Sequence, residues 1–202
     1  MQEFWFYVDL GFKHVLDLGA YDHILFLAAL ATPFTFKNWK KVVVLATIFT
    51  ITHCTSLALA AFDIFTVDVG LIEFLIPVTI FLTALFNLIY VYKDAVDIGM
   101  YLHGLATAFF GLIHGFGFSN YFKLLMAEEE DKVTPLFGFA TGIEFSQISI
   151  ILVVLVMAFL TQNYLNLKRK YFITILSILI MAITIPLLIA TFPHKVLLNF
   201  IE

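Results

Sequence analysis

From Phe172 to Phe192 the chain has no charged residue, and from Val69 to Val91 it has only Glu73. About twenty apolar residues, coiled as a helix rising 1.5 Å per residue, match the roughly 30 Å hydrocarbon layer of a bilayer. Such runs recur, and six stretches qualify as spans: 10 to 32, 41 to 61, 69 to 91, 99 to 119, 135 to 160 and 172 to 192. A β-barrel would show short alternating strands in place of these long runs. The expected fold is all-α: one polytopic domain over residues 1–202, a bundle of about six transmembrane helices.

Composition agrees, with 62% hydrophobic and 13% charged residues and a mean hydropathy of +1.01. The net charge of −4 is scattered, and no basic stripe exists to follow a phosphate backbone, so nucleic acid is not an expected partner. The lipid bilayer is one, and self-association stays open. Cys54 is the only cysteine, which excludes an intrachain disulfide and reads as a small packing residue. The start MQEFWFYVDLGFKH has neither the basic region nor the cleavage site of a signal peptide, so the first membrane helix is expected to do the targeting.

The first span is the least regular. Gly11, Gly19, His14, Asp17, Asp22 and His23 interrupt it before the apolar run Ile24 to Ala31, so it is expected as a broken helix or as an interfacial turn before a short span. Residues 2 to 8, with Phe4, Trp5, Phe6 and Tyr7, read as an aromatic belt at the interface.

Basic loops give the orientation. Lys37, Lys40 and Lys41, then Lys93, then Lys168, Arg169 and Lys170 follow spans one, three and five; the opposite loops carry Asp63, Asp68 and the run Glu128 to Asp131. The positive-inside rule places the basic loops in the cytoplasm and both termini outside it, for a multi-pass protein of the cytoplasmic (inner) membrane.

Counting depth along each span puts the costly residues at one level, in the outer half. His14, Asp17, Asp22 and His23 lie where span one enters, His53 in the outer half of span two, Glu73 at the start of span three, His114 near the outer end of span four, and Glu144 with Gln147 two to three turns into span five. Ionisable groups at membrane depth are expensive and mark functional sites. His14 and Asp17, like Glu144 and Gln147, are three apart and share a helix face. Gly111, Gly115 and Gly117 around His114 would let a helix or ligand approach closely.

Imidazole with carboxylate suits a first-row divalent cation such as nickel, cobalt or zinc. Three or four of His14, Asp22, His23, His53, His114 and Glu144 would make a shell. His103, three turns from His114 toward the cytoplasm, is a second station or a structural histidine, and His194 is read as interfacial.

The segments HVLDLGAYDHILFLAAL, FTITHCTSLALA, IEFLIPVTIFLTALFNL, FGLIHGFGFSN and FATGIEFSQ, in this order, resemble the HupE/UreJ membrane protein family. The resemblance implies nickel or cobalt uptake serving hydrogenase and urease maturation. It puts His14, Asp22 and His23 in the metal-binding role, with His53, Glu73, Asn87, His114, Glu144 and Gln147 at later motif positions. Three functions follow as expectations. A metal permease would need an exit, for which the inner half offers only His103 and Asn87. An intramembrane zinc hydrolase would use Glu144 or Asp22 as general base. An accessory or sensor subunit would use the polar cluster to bind another protein's helix.

Overall fold

A computed structural model of the chain describes residues 2–65, 67–92, 100–127, 129 and 131–193. Seven α-helices account for most of them: α1 (Gln2–Val15), α2 (Asp22–Ala31), α3 (Trp39–Ala61), α4 (Val69–Tyr92), α5 (Met100–Leu125), α6 (Val133–Asn163) and α7 (Arg169–Ala190). A 3₁₀ turn, Phe36–Asn38, leads into α3. Four stretches are long and apolar enough to cross a membrane: Phe36–Ala61, Val69–Val91, Val133–Asn163 and Arg169–Ala190. The 26-residue α5 has the length, but His103, His114 and four glycines dilute its hydropathy. The chain is a multi-pass membrane protein, and α3 to α7 correspond to the five later expected spans, α5 continuing to Leu125.

The expected first span is two helices. At 1.5 Å per residue α1 is about 21 Å long and α2 about 15 Å, so neither crosses a 30 Å layer alone. The break at residues 16 to 21 is a turn built by Asp17, whose carboxylate accepts the Gly19 N–H at 2.8 Å. Residues 2 to 8 form the first turns of α1: Trp5 and Phe6 are exposed as a belt requires, but Tyr7 is buried. Tyr7, Gly11 and Val15 recur every four residues and make the buried face of α1. A hydropathy window averages such a stripe away.

The two ends of the bundle differ in charge. At the acidic end the Lys123 ammonium pairs with Asp63, Lys132 donates to the Ala61 carbonyl at 2.9 Å and Tyr7 donates to Glu129 at 3.1 Å. Acidic residues there also cap helix starts: Asp68 accepts the Leu71 N–H at 2.8 Å, and Asp131 the Val133 N–H at 2.9 Å. At the basic end Arg169 donates to the Pro33 carbonyl, and Phe36 meets Phe159 at 6.1 Å between ring centroids. Lys93, Asp94, Asp97, Glu128, Glu130 and His194 lie outside the described residues.

In lipid the helices gain little from leaving the solvent, so close packing must hold them together. Glycines provide it. A Cβ at Gly111 or Gly115 would collide with the α3 backbone at Phe49 or His53, and one at Gly142 with the α1 backbone at Val8. The pairs α3–α5 and α1–α6 thus touch backbone to backbone.

Candidate metal centre

His14 leaves the last turn of α1 beside Gly11 and Val15, its ring 4.0 Å from that of Phe118 and 4.7 Å from that of His23. Asp22 and His23 open α2, where a carboxylate is favoured by the helix dipole. His53 on α3 and His114 on α5 each stand against the His23 ring, at 5.4 and 5.3 Å between centroids, beside the seam that Gly111 and Gly115 close. His23, His53 and His114 are each at most 3% exposed.

Two triads result. Single ligand atoms of His14, His23 and His53 lie within 4.8 Å of one another, and so do those of Asp22, His23 and His114. His23 belongs to both: its Nε2 is 3.4 Å from His53 Nε2, and its Nδ1 is 3.4 Å from Asp22 Oδ1. The second contact has the distance of an ion pair but not the angle of a hydrogen bond, since both atoms lack a hydrogen-bond partner. A hydrogen bond weakens steeply off axis, so this contact is electrostatic.

The tautomer of His114 follows from its neighbour. The Thr79 hydroxyl spends its one proton on the Ile76 carbonyl at 2.7 Å, so toward His114 Nε2, 3.1 Å away, it can only accept. His114 therefore carries its proton on Nε2 and turns the Nδ1 lone pair into the cluster. This is how a metal-ligating histidine is usually oriented from behind.

His14 Nε2, Asp22 Oδ1, His23 Nδ1, His53 Nδ1 and His114 Nδ1 are all buried without a partner. Each orphaned polar atom costs about 1–3 kcal/mol, and the five side chains, grouped in two triads that share His23, offer donors that a cation would satisfy. The three imidazole nitrogens and one carboxylate oxygen nearest His23 are a borderline-to-hard donor set, suited to nickel, cobalt or zinc.

The remaining expected residues are placed elsewhere. Glu144 joins neither triad; its two oxygens accept from Thr47 and Thr50 at 2.6 Å each, toward the basic end from His53 along α3. Asn87 donates to the Ala29 carbonyl at 2.8 Å and closes the C-terminal end of α2. Gln147 is fully buried with both amide atoms unpartnered. Asp17 holds the turn, and exposed Glu73 lines, with Asp22 and Pro77, a recess of about 200 Å³ at the acidic end. Threonines 47, 50 and 79 escaped the sequence reading, because a lone hydroxyl in an apolar helix ordinarily bonds back to its own backbone.

Phe26 and Phe49 form the floor of the cluster. Their rings stack at 4.8 Å, and both stand 5.2–5.3 Å from the His114 ring. Beyond Phe26, among α2, α4 and α5, is a cavity of about 240 Å³ lined by His103, Asn87, Thr83, Thr107 and Phe110.

No curated protein matches this chain, and no solved structure does. The family model described as HupE / UreJ protein matches residues 1–191, nearly the whole length and all five residues of the two triads. The chain belongs to the HupE/UreJ family.

Proposed function

We propose that the protein is a transporter for a divalent transition-metal ion of the nickel and cobalt type, in the cytoplasmic membrane, with its basic end in the cytoplasm and both termini outside. The observation that carries this is the set of five buried, unpartnered ligand atoms brought together by α1, α2, α3 and α5. The family resemblance supplies the metal class, and Lys37, Lys40, Lys41, Lys168, Arg169 and Lys170 support the orientation.

In this reading a cation enters at the acidic end through the recess lined by Asp17 and His14 and loses water to the histidines. Asp22 offsets its charge in a poorly hydrated site. The half-helix α2 carries both Asp22 and His23 at its start and Phe26 one turn later, so a shift of this short element opens the floor toward the cavity at His103. Broken helices commonly build the ion site of a transporter, around which one part of the bundle moves against the other.

Uptake of Co²⁺ or Ni²⁺ into proteoliposomes tests the reading. His23→Ala and His114→Ala should each bring uptake to background, and undiminished uptake in both would sink it. The hydrolase alternative retains one favourable observation: Asp22 keeps 21% of its side chain exposed beside the cluster, within reach of a water. Glu144, tied to two threonines, is poorly placed as its base. Zinc bound stoichiometrically in gently purified protein, with no metal flux, would favour that reading.

A further inference from the structure

The two triads are not two halves of one shell, because they lie on opposite edges of a single ring. Nε2 of His23 faces His53, and Nδ1 faces Asp22. The His114 nitrogen that can bind is Nδ1, fixed by Thr79 behind it. A cation at ligand distance of about 2.0–2.2 Å from one nitrogen of an imidazole lies on the far side of the ring from a cation on the other nitrogen.

A neutral imidazole offers one lone pair and one N–H. With the cation on Nε2, among His14, His23 and His53, the Nδ1–H edge is the one beside Asp22, 3.4 Å away and off the axis of a hydrogen bond, so a small rotation of the carboxylate would complete the carboxylate–histidine–metal arrangement. With the cation on Nδ1, among Asp22, His23 and His114, the Nε2–H points to His53. Each state uses the other state's ligand as its hydrogen-bond acceptor, so the same five side chains serve both.

We infer that the cluster holds one cation at a time in two alternative positions, one on each ring nitrogen of His23, and that the cation is handed from one to the other. The hand-over breaks the metal bonds to His23 Nε2, His14 and His53 and forms those to His23 Nδ1, Asp22 and His114, while the ring's one proton leaves Nδ1 and returns at Nε2, carried by a water entering beside the part-exposed Asp22. The direction follows from the surroundings. His14 packs on Phe118 and Phe139, whereas His114 abuts Phe26, which lines the cavity at His103. The position at His14 is the arrival station, and the position at His114 is the departure station. This deepens the transport reading and rests on it for the direction of movement, while the two positions stand on geometry alone.

Titration of Co²⁺ into the purified full-length protein, followed by calorimetry and by the visible ligand-field spectrum, tests the inference. The wild type should bind one Co²⁺ per chain. His53→Gln and His114→Gln should each still bind one, about 10–100-fold more weakly, with different spectra: the first retains a carboxylate ligand, the second is all nitrogen. His23→Gln and the double variant should bind none over the same range. Glutamine keeps the volume of histidine, and wild-type helicity by circular dichroism certifies the fold; His53→Ala and His114→Ala repeat the comparison if a glutamine variant misfolds. Identical spectra in the two single variants, or complete loss of binding in either one, would overturn the two-position inference. Two positions found in a protein without Co²⁺ flux would instead overturn transport and leave the positions standing.

Discussion

Around His23 the acidic half of the bundle gathers five side chains with ligand atoms that lack partners, whereas around His103 the basic half holds a cavity walled chiefly by phenyl rings and aliphatic side chains, with two threonines and Asn87. The first region is dense in donors and tightly closed; the second is roomy and poor in charge. Binding a dehydrated cation calls for the former and releasing it for the latter. In the transport reading the difference assigns affinity and passage to different halves of one bundle, with the break between α1 and α2 set at the acidic half. That break lets one chain segment deliver His14 from one helix end and Asp22 with His23 from the next helix start.

The seam carrying His53 and His114 should be the most sensitive part of the acidic half. Gly115→Val places atoms against the His53 carbonyl and the Ser56 side chain, and forced separation of the backbones should cost about 3 kcal/mol or more. Thermal unfolding in detergent reads it, and wild-type stability would show that the close seam is dispensable. Next comes a paired test of the two halves. His14→Ala should weaken Co²⁺ binding about 10–100-fold, while His103→Ala should leave affinity unchanged and slow uptake; equal losses of affinity would erase the distinction between binding and passage.

A smaller effect is expected behind the cluster. Thr79→Val removes the acceptor for His114 Nε2–H and should lower Co²⁺ affinity about 10-fold, with Thr79→Ser restoring it. Failure of serine to rescue would mean that Thr79 acts by packing alone. The smallest effect belongs to the acidic surface. Hydrogen bonds from Thr134 and the Val133 N–H hold the Asp131 carboxyl below its ordinary value. A depressed folded pKa adds stability above the unfolded carboxylate pKa, about 3.9, and loses it as the pH falls through the folded value. Asp131→Ala should therefore lower the melting temperature slightly at neutral pH, and the difference should vanish in strong acid; an equal difference at both would point to helix packing as the cause.

The helical class, the five later spans and the convergence of His14, Asp22, His23, His53 and His114 could be read from the sequence because apolar run length and depth in the bilayer are one-dimensional quantities. Depth brought Glu144 to nearly the same level, but depth says nothing of azimuth, and its α6 face turns to Thr47 and Thr50. Asn87 matched a motif position, yet its role is fixed by where α2 happens to end, at Ala29 to Ala31. The split of the first span was legible only in part: the interruptions at Gly11 to His23 signalled a break, but the buried stripe of Tyr7, Gly11 and Val15 required an amphipathic reading that joins Tyr7, assigned to a belt, to residues assigned to the span. The double membership of His23 is a matter of ring orientation, which no spacing encodes.

Anomalous diffraction from crystals grown with Co²⁺, recorded on both sides of the metal absorption edge, tests the central claim most directly. The account predicts a peak at about 2.0–2.2 Å from one nitrogen of His23, bounded by His14 and His53 or by Asp22 and His114. A peak confined to His103 or to the acidic loops, or none at saturating cobalt, would contradict it.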